Sequence, residues 1–249
     1  MSMFADVKNE DGIEKAKDVL GGGNGLFDTA IYKFTIKAAY GLVSSGGAKG
    51  VAFEFKDENG RTFKNTQYVT SGTEKGCKNY YEKDGVKNYL PGYNIVNAIC
   101  MMCTEKPLDQ AVTENKTLKL WDSTAKAETP QNVPVLVELT GKEIYLGLFK
   151  DEVDKFGQDQ TTKKWTVVTG ETKEQNEIAN VYHFPTKKTL NEAVEGGEAE
   201  FYDKWLAQYE GKTRERAKHK GKGGTAGRPA AASGGATPAG GSKPSSLFG

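Results

Sequence analysis

Apolar and polar residues alternate with period two through AIYKFTIKAAY at 30–40. Tyr32, Phe34, Ile36 and Ala38 fall on one face, and Ile31, Lys33, Thr35 and Lys37 on the other, which predicts a strand with one buried side. The stretch GLVSSGGAKG then reads as a flexible connection to a second strand, where Val51, Phe53 and Phe55 alternate with Ala52, Glu54 and Lys56. Asn59-Gly60 is a strong hairpin signal and leads into RTFKNTQYVT, completing a three-strand meander. If Val51, Phe53, Phe55, Phe63 and Val69 fill a core, then Lys56, Lys64, Thr66 and Tyr68 emerge on the opposite face.

The period changes in YNIVNAICMMC at 93–103, where Ile95, Val96, Ile99, Met102 and Cys103 recur at helical spacing. A polar excursion through Trp121 and Pro130 follows, and then VPVLVEL and KEIYLGLF read as two strands or one hairpin about Gly141. A Lys- and Thr-rich loop containing Trp165 separates these from the strand NEIANVYHF. Three strands, a helix and at least two further strands is the order of an OB-fold, a five-stranded Greek-key barrel with a helix between its third and fourth strands. The expected class is therefore mainly β with α elements. An N-terminal extension over 1–25 carries a short helical pattern, Ile13, Ala16 and Leu20, stopped by Gly21–Gly23. The barrel domain spans 26–185, and 186–211 supplies a C-terminal amphipathic helix in which Phe201, Trp205 and Tyr209 stand four residues apart. Residues 212–249, rich in Gly, Ala and Lys, hold only Leu247 and Phe248 as large apolar side chains, too few to offset the entropy of ordering, so the segment reads as a disordered tail.

Charge sharpens this division. The chain has 34 Lys and Arg against 33 Asp and Glu, but eight of the bases and only one acid, Glu215, follow residue 211. The body is acidic and the tail basic, which argues against wrapping of long duplex DNA and restricts any polyanion site to a local groove. No long apolar run or signal-peptide pattern appears, and the three cysteines do not form a disulfide framework, so a cytoplasmic protein is expected. Enzymatic patterns are absent from the motifs present: the two histidines are His183 and His219, and GGGNG at 21–25 follows a helix where a dinucleotide fingerprint follows a strand. A non-enzymatic chain without a cofactor is the reading. Cys100-Met-Met-Cys103, with Cys77 and His183, could compose a structural zinc site; the missing second pair of close ligands favours thiols that simply face a helix core.

The stretch GCKNYYEKDGVKNYLPGY at 76–93 sets Tyr80, Tyr81, Tyr89 and Tyr93 among Lys78, Lys83 and Lys87. Rings offer faces to unpaired bases and ammonium groups offer charge to their phosphates, the pairing that single-stranded nucleic acid requires. Duplex readers show instead a recognition helix or a broad basic face. Strands two and three of an OB barrel form its usual ligand platform, with Lys33 and Lys37 outward on the strand beside them.

The meander at 30–70, the insert NYYEKDGVKNYLPGYNIVNAI, the pair VPVLVELTGKEIYLGLFKDEVDK and the strand NEIANVYHF together resemble single-stranded-DNA-binding proteins of tailed bacteriophages, over roughly residues 26–185. The resemblance implies a non-catalytic OB-fold that coats single strands during replication, recombination and repair, inside the host cytoplasm. It also implies a groove of aromatic and basic character, carried here by Lys33, Lys37, Lys56, Lys64, Tyr68, Tyr80, Tyr81, Lys87, Tyr89 and Trp165. Many such proteins end in an acidic tail, whereas this one is basic and ends SSLFG; the expectation is added phosphate contact from Lys212–Lys222 and an apolar anchor at Leu247-Phe248 for a replication or transcription partner. Two other classes remain open. In one, the aromatic helix at 198–210 makes the chain a protein-interaction or virion-assembly module; in the other, the same groove serves an RNA-binding regulator.

Overall fold

The structure is a computed structural model that describes residues 25–122, 124–158, 161 and 165–218. The expected N-terminal helix lies outside the described residues, as does everything after Lys218. The meander forms as its pattern predicts, with β1 at Ala30–Val43, β2 at Lys49–Asp57 and β3 at Thr62–Tyr68, all antiparallel. Phe34, Ile36, Val51, Phe53, Phe55 and Phe63 are buried, while Lys56, Lys64, Thr66 and Tyr68 face outward. A β-bulge breaks the alternation in β1: pairing steps from Ile36↔Phe55 to Ala38↔Glu54, which leaves Lys37 as the extra residue and turns Ala39, not Ala38, into the core. At the β2–β3 turn Gly60 adopts φ +82°, and the Asp57 carboxylate accepts hydrogen bonds from the Arg61 backbone N and Nε, both at 2.7 Å. Phe27, Phe34, Phe55 and Phe63 then meet at ring separations of 5.4–6.0 Å to form the aromatic centre of the core.

The insert after β3 is a two-stranded hairpin, β4 at Tyr80–Lys83 and β5 at Val86–Tyr89. Asp84 and Gly85 both take positive φ at its turn, the combination that matches strand twist. Helix α1, Pro91–Thr104, starts directly behind it with proline at its first position and buries Val96, Ile99 and Cys100. At Gly92 the helix rests on the backbone of β3: a Cβ there would lie 2.3 Å from the Tyr68 carbonyl oxygen. We expect Gly92→Ala to lower the urea midpoint by an amount equivalent to about 1–3 kcal/mol, because backbone and not a movable side chain must yield.

The polar excursion expected after the helix is a second hairpin, β6 at Glu114–Asp122 and β7 at Ala127–Val135. Pro130, which argues against a strand, and Pro134 sit on β7 where it pairs with β6, and the β7 ladder with β1 is the single pair Tyr40↔Val135. Of VPVLVEL, the first three residues end β7, and Val137–Leu139 is one 3-10 turn. Strand β8 runs through Glu143–Gln158 and β9 through Trp165–His183, so KEIYLGLF and NEIANVYHF are the inner parts of one long hairpin and Trp165 lies on a strand instead of a loop.

Among the described residues the main sheet has eight strands, with β8 paired to β1 and β9 paired to β8; it is antiparallel except for one short addition, and it is not a closed barrel. Helix α1 packs against both β3 and β9, the two free sides of the β3-β2-β1-β8-β9 run. The segment expected as one C-terminal helix is two: α2, Leu190–Glu195, and α3, Glu200–Tyr209. Glu192 links them, accepting from the N–H groups of Thr189, Glu200 and Phe201 at 2.8–3.0 Å. Tyr202 and Trp205 of α3 are buried, with Trp205 5.1 Å from the Phe149 ring and Tyr202 5.2 Å from Tyr182.

The boundary drawn at residue 212 also moves. Thr213–Glu215 is a strand, β10, parallel to β8 at Lys150–Glu152. Buried Thr29 anchors the entry by donating to the Lys212 carbonyl at 2.6 Å and accepting from Lys150 N at 2.9 Å. No helix among the described residues is long and apolar enough to cross a membrane.

Candidate nucleic-acid interface

Four pieces of chain enclose a cleft of about 730 Å³: the β1–β2 loop at Gly46, the end of β3 at Tyr68, the loop 70–78 and the β4–β5 hairpin, with Leu90, Pro91 and Gly92 at its floor. The loops are tied before any ligand arrives. Thr73 donates its N–H (2.8 Å) and its hydroxyl (3.2 Å) to the Gly46 carbonyl, and Ser71 and Lys78 exchange bonds at 2.7 and 2.9 Å. Leu90 N donates to the Asn79 carbonyl at 2.9 Å, closing the base of the hairpin. A preformed cleft loses less entropy on binding than a loose flap would.

Its walls carry rings. Tyr68 and Tyr81 are each 46% exposed and Tyr89 is 55% exposed. Tyr80 pairs with Tyr89 across the hairpin, and Tyr89 stacks on Tyr93 at 4.7 Å between centroids. The ammonium groups of Lys78 and Lys87 approach the Tyr80 ring at 5.6 and 5.1 Å. Burial raises the Tyr93 hydroxyl above its ordinary pKa, so this supporting ring stays neutral. Lys75 and Lys78 line the cleft together with Glu74 and Glu82, so its charge is mixed. Lys78 belongs to the 76–93 stretch marked by sequence, whereas Lys75 does not and reaches the cleft on the 3-10 turn Thr73–Lys75, which no apolar period announces.

Of the ten expected residues, Tyr68, Tyr80 and Tyr81 line the cleft, and Tyr89 and Lys87 stand beside Tyr80. The other five lie elsewhere. Lys33 pairs with Glu143 at 3.0 Å and Glu58 at 3.3 Å and sits over the Phe184 ring; the Glu143 hydrogen bond, with Glu58, holds its pKa above the ordinary lysine value. Lys37 is exposed at the β1 bulge and Lys56 is exposed near the β2–β3 turn. Lys64 pairs with Glu54 at 3.3 Å and lines a different groove. Trp165, 69% exposed, stands where β9 pairs with the last residue of β8, Gln158.

Cys100 and Cys103 lie near one another on α1, while Cys77 is on another element. Cys100 is buried in α1 and burial pushes its pKa up to about 12; burial likewise raises Cys103 to about 11. Cys77 is exposed on the cleft loop, 3.7 Å from the Gly47 carbonyl oxygen, and His183 Nδ1 lies 2.8 Å from the Thr186 hydroxyl. Among the described residues no group of three or more His, Cys, Asp and Glu is arranged to hold a metal ion. The chain matches no protein-family model, and no curated protein matches it.

Proposed function

We propose that this protein is a non-catalytic single-stranded DNA-binding protein that engages bases and phosphates with little sequence preference, in the manner of the phage proteins that its strand pattern resembles. One observation carries the reading: a preformed cleft walled by exposed tyrosines, with lysines at its rim and against one of its rings. Stacking tolerates any base, because each has a π-face, and lysine tolerates any phosphate. The order β3-β2-β1-β8-β9, with α1 between β3 and β9 and against both, is the order of elements of an OB-type domain, left open here and not closed into a barrel, and supports the reading. Replication, recombination and repair of phage DNA in a host cytoplasm is the setting this reading suggests. The basic residues after 218 would add phosphate contact, and Leu247-Phe248 would serve a partner.

The interaction-module reading needs the aromatic helix to be available, and the burial of Tyr202 and Trp205 weighs against it. RNA is distinguished from DNA by its 2′-hydroxyl, so a ribo-oligomer is the natural competitor in the test. Titrating labelled oligo-dT should give micromolar or tighter binding that weakens steeply with salt, with much weaker binding to duplex. A chain ending at residue 218 should bind with a flatter salt dependence. Absence of binding to any single strand at low salt would overturn the proposal.

A further inference from the structure

The β6–β7 hairpin leaves the sheet at Tyr40↔Val135 and extends over nine cross-strand pairs to Asp122↔Ala127, roughly 27 Å at about 3.4 Å per residue. One of its faces is half-buried, with Leu118, Leu120, Gln131 and Val133. Its outer part borders the outward face of β2 and β3, and through the other face of β6 it lines a groove of about 290 Å³ with Tyr40, Glu54, Lys64, Thr66, Lys119 and Trp121. Trp121 is 66% exposed, a large apolar surface left uncovered at the mouth of a partly polar groove.

This groove and the first cleft lie along the same strand. Tyr68 lines the cleft and Thr66 lines the groove, and the two residues stand on the same outward face of β3, separated by about 7 Å of strand. A chain lying on Tyr68 and running along β3 toward Lys64 therefore enters the groove that the arm lines. On this basis, and resting on the proposed single-strand binding, we infer that the β6–β7 arm is a second base-binding subsite, in which the indole of Trp121 stacks an unpaired base while Lys64 and Lys119 face the phosphates. Glu54 and Glu128 balance those two lysines, so stacking and not charge dominates here. Any of the four bases fits a stacking site, and the outward hydroxyl of Thr66 offers a hydrogen bond to a base edge without demanding one pattern.

Two oligo-dT lengths separate the subsites: one of about four nucleotides, which the first cleft holds alone, and one of about sixteen, which spans both. The Trp121→Ala variant should bind the short oligomer as the unchanged protein does, and the long one roughly tenfold more weakly, by the same factor at low and high salt. Trp121→Phe should recover most of that loss. In a Trp165→Phe background, where Trp205 is buried, the long oligomer should quench the exposed indole and the short one should not. If the Trp121→Ala variant binds both lengths as the unchanged protein does and the indole of the Trp165→Phe protein is not quenched, the arm is no subsite although single-strand binding stands. If neither length binds the unchanged protein, the underlying function fails and the subsite with it. Quenching by a ribo-oligomer or duplex in preference to oligo-dT would also overturn the assignment.

Discussion

Tyr68→Ala should weaken binding of oligo-dT by about 1–3 kcal/mol, roughly 5- to 150-fold in Kd, with the thermal midpoint nearly unchanged. The ring faces solvent from the end of β3 and lies against the glycine that it pairs with on β2, Gly50. Its removal leaves the ladder and the buried face of β3 intact. Tyr68 lines the hairpin cleft, which short and long oligomers both occupy, so its loss should reduce affinity for the two alike, unlike a change at Trp121. Fluorescence anisotropy alongside thermal melting checks both halves: an unchanged Kd would remove Tyr68 from the interface, and a large fall in melting temperature would make it a structural residue.

Asp151→Asn should destabilise the fold by about 2–4 kcal/mol, close to the range for breaking a buried ion pair but eased because both arginine partners reach solvent. The Asp151 side chain is 0% exposed and receives Arg214 in a two-pronged contact at 2.6 and 2.7 Å, with Arg216 at 3.2 Å. Arg214 also lies over the Phe149 ring at 3.5 Å, and both arginines pair with Glu177. Burial by itself would raise the Asp151 pKa, but the hydrogen bonds with Arg214, Glu177 and Arg216 outweigh it, and the carboxyl ends below its ordinary value while the neighbouring Glu177 ends above its own. A depressed pKa contributes stability that is complete above the unfolded value of about 3.9 and is lost as pH falls through the lower folded value. Urea midpoints for the unchanged protein and the variant should therefore differ at neutral pH and converge in acid. Ending the chain at residue 211 should cost at least as much, since it also removes the β10 ladder and the Thr29–Lys212 bond, and combined with Asp151→Asn it should cost less than the sum, because both remove the contacts between Asp151 and the arginines. Full additivity would mean that β10 is not held by this carboxylate.

Much of the fold was legible because its signals are local. Period two in β1, β2 and β3, Asn59-Gly60 between β2 and β3, and helical spacing from Ile95 to Cys103 each arise within one element, and each element formed. The bulge at Lys37 was not legible, since it is a property of the pairing with β2 and leaves no mark on the strand's composition. The β6–β7 arm was hidden for a different reason: Pro130 opposes strand assignment except where one edge is open, and edges exist only in the assembled sheet.

The candidate interface divides along the same line. By itself the sequence determined that several tyrosines and lysines would stand together between residues 76 and 93, because a segment with so few apolar side chains cannot sink its rings into a core. Only the tertiary structure decided which cations remain near them. Lys33 looked as available as Lys78 until Glu58 and Glu143, remote in the chain, came within ion-pair distance of it, and the arginines of a segment that composition marks as unstructured became the partners of Asp151. Periodicity reports which way a side chain points; which charge it meets depends on contacts closed across the whole fold, and those are set by packing and not by neighbours in sequence.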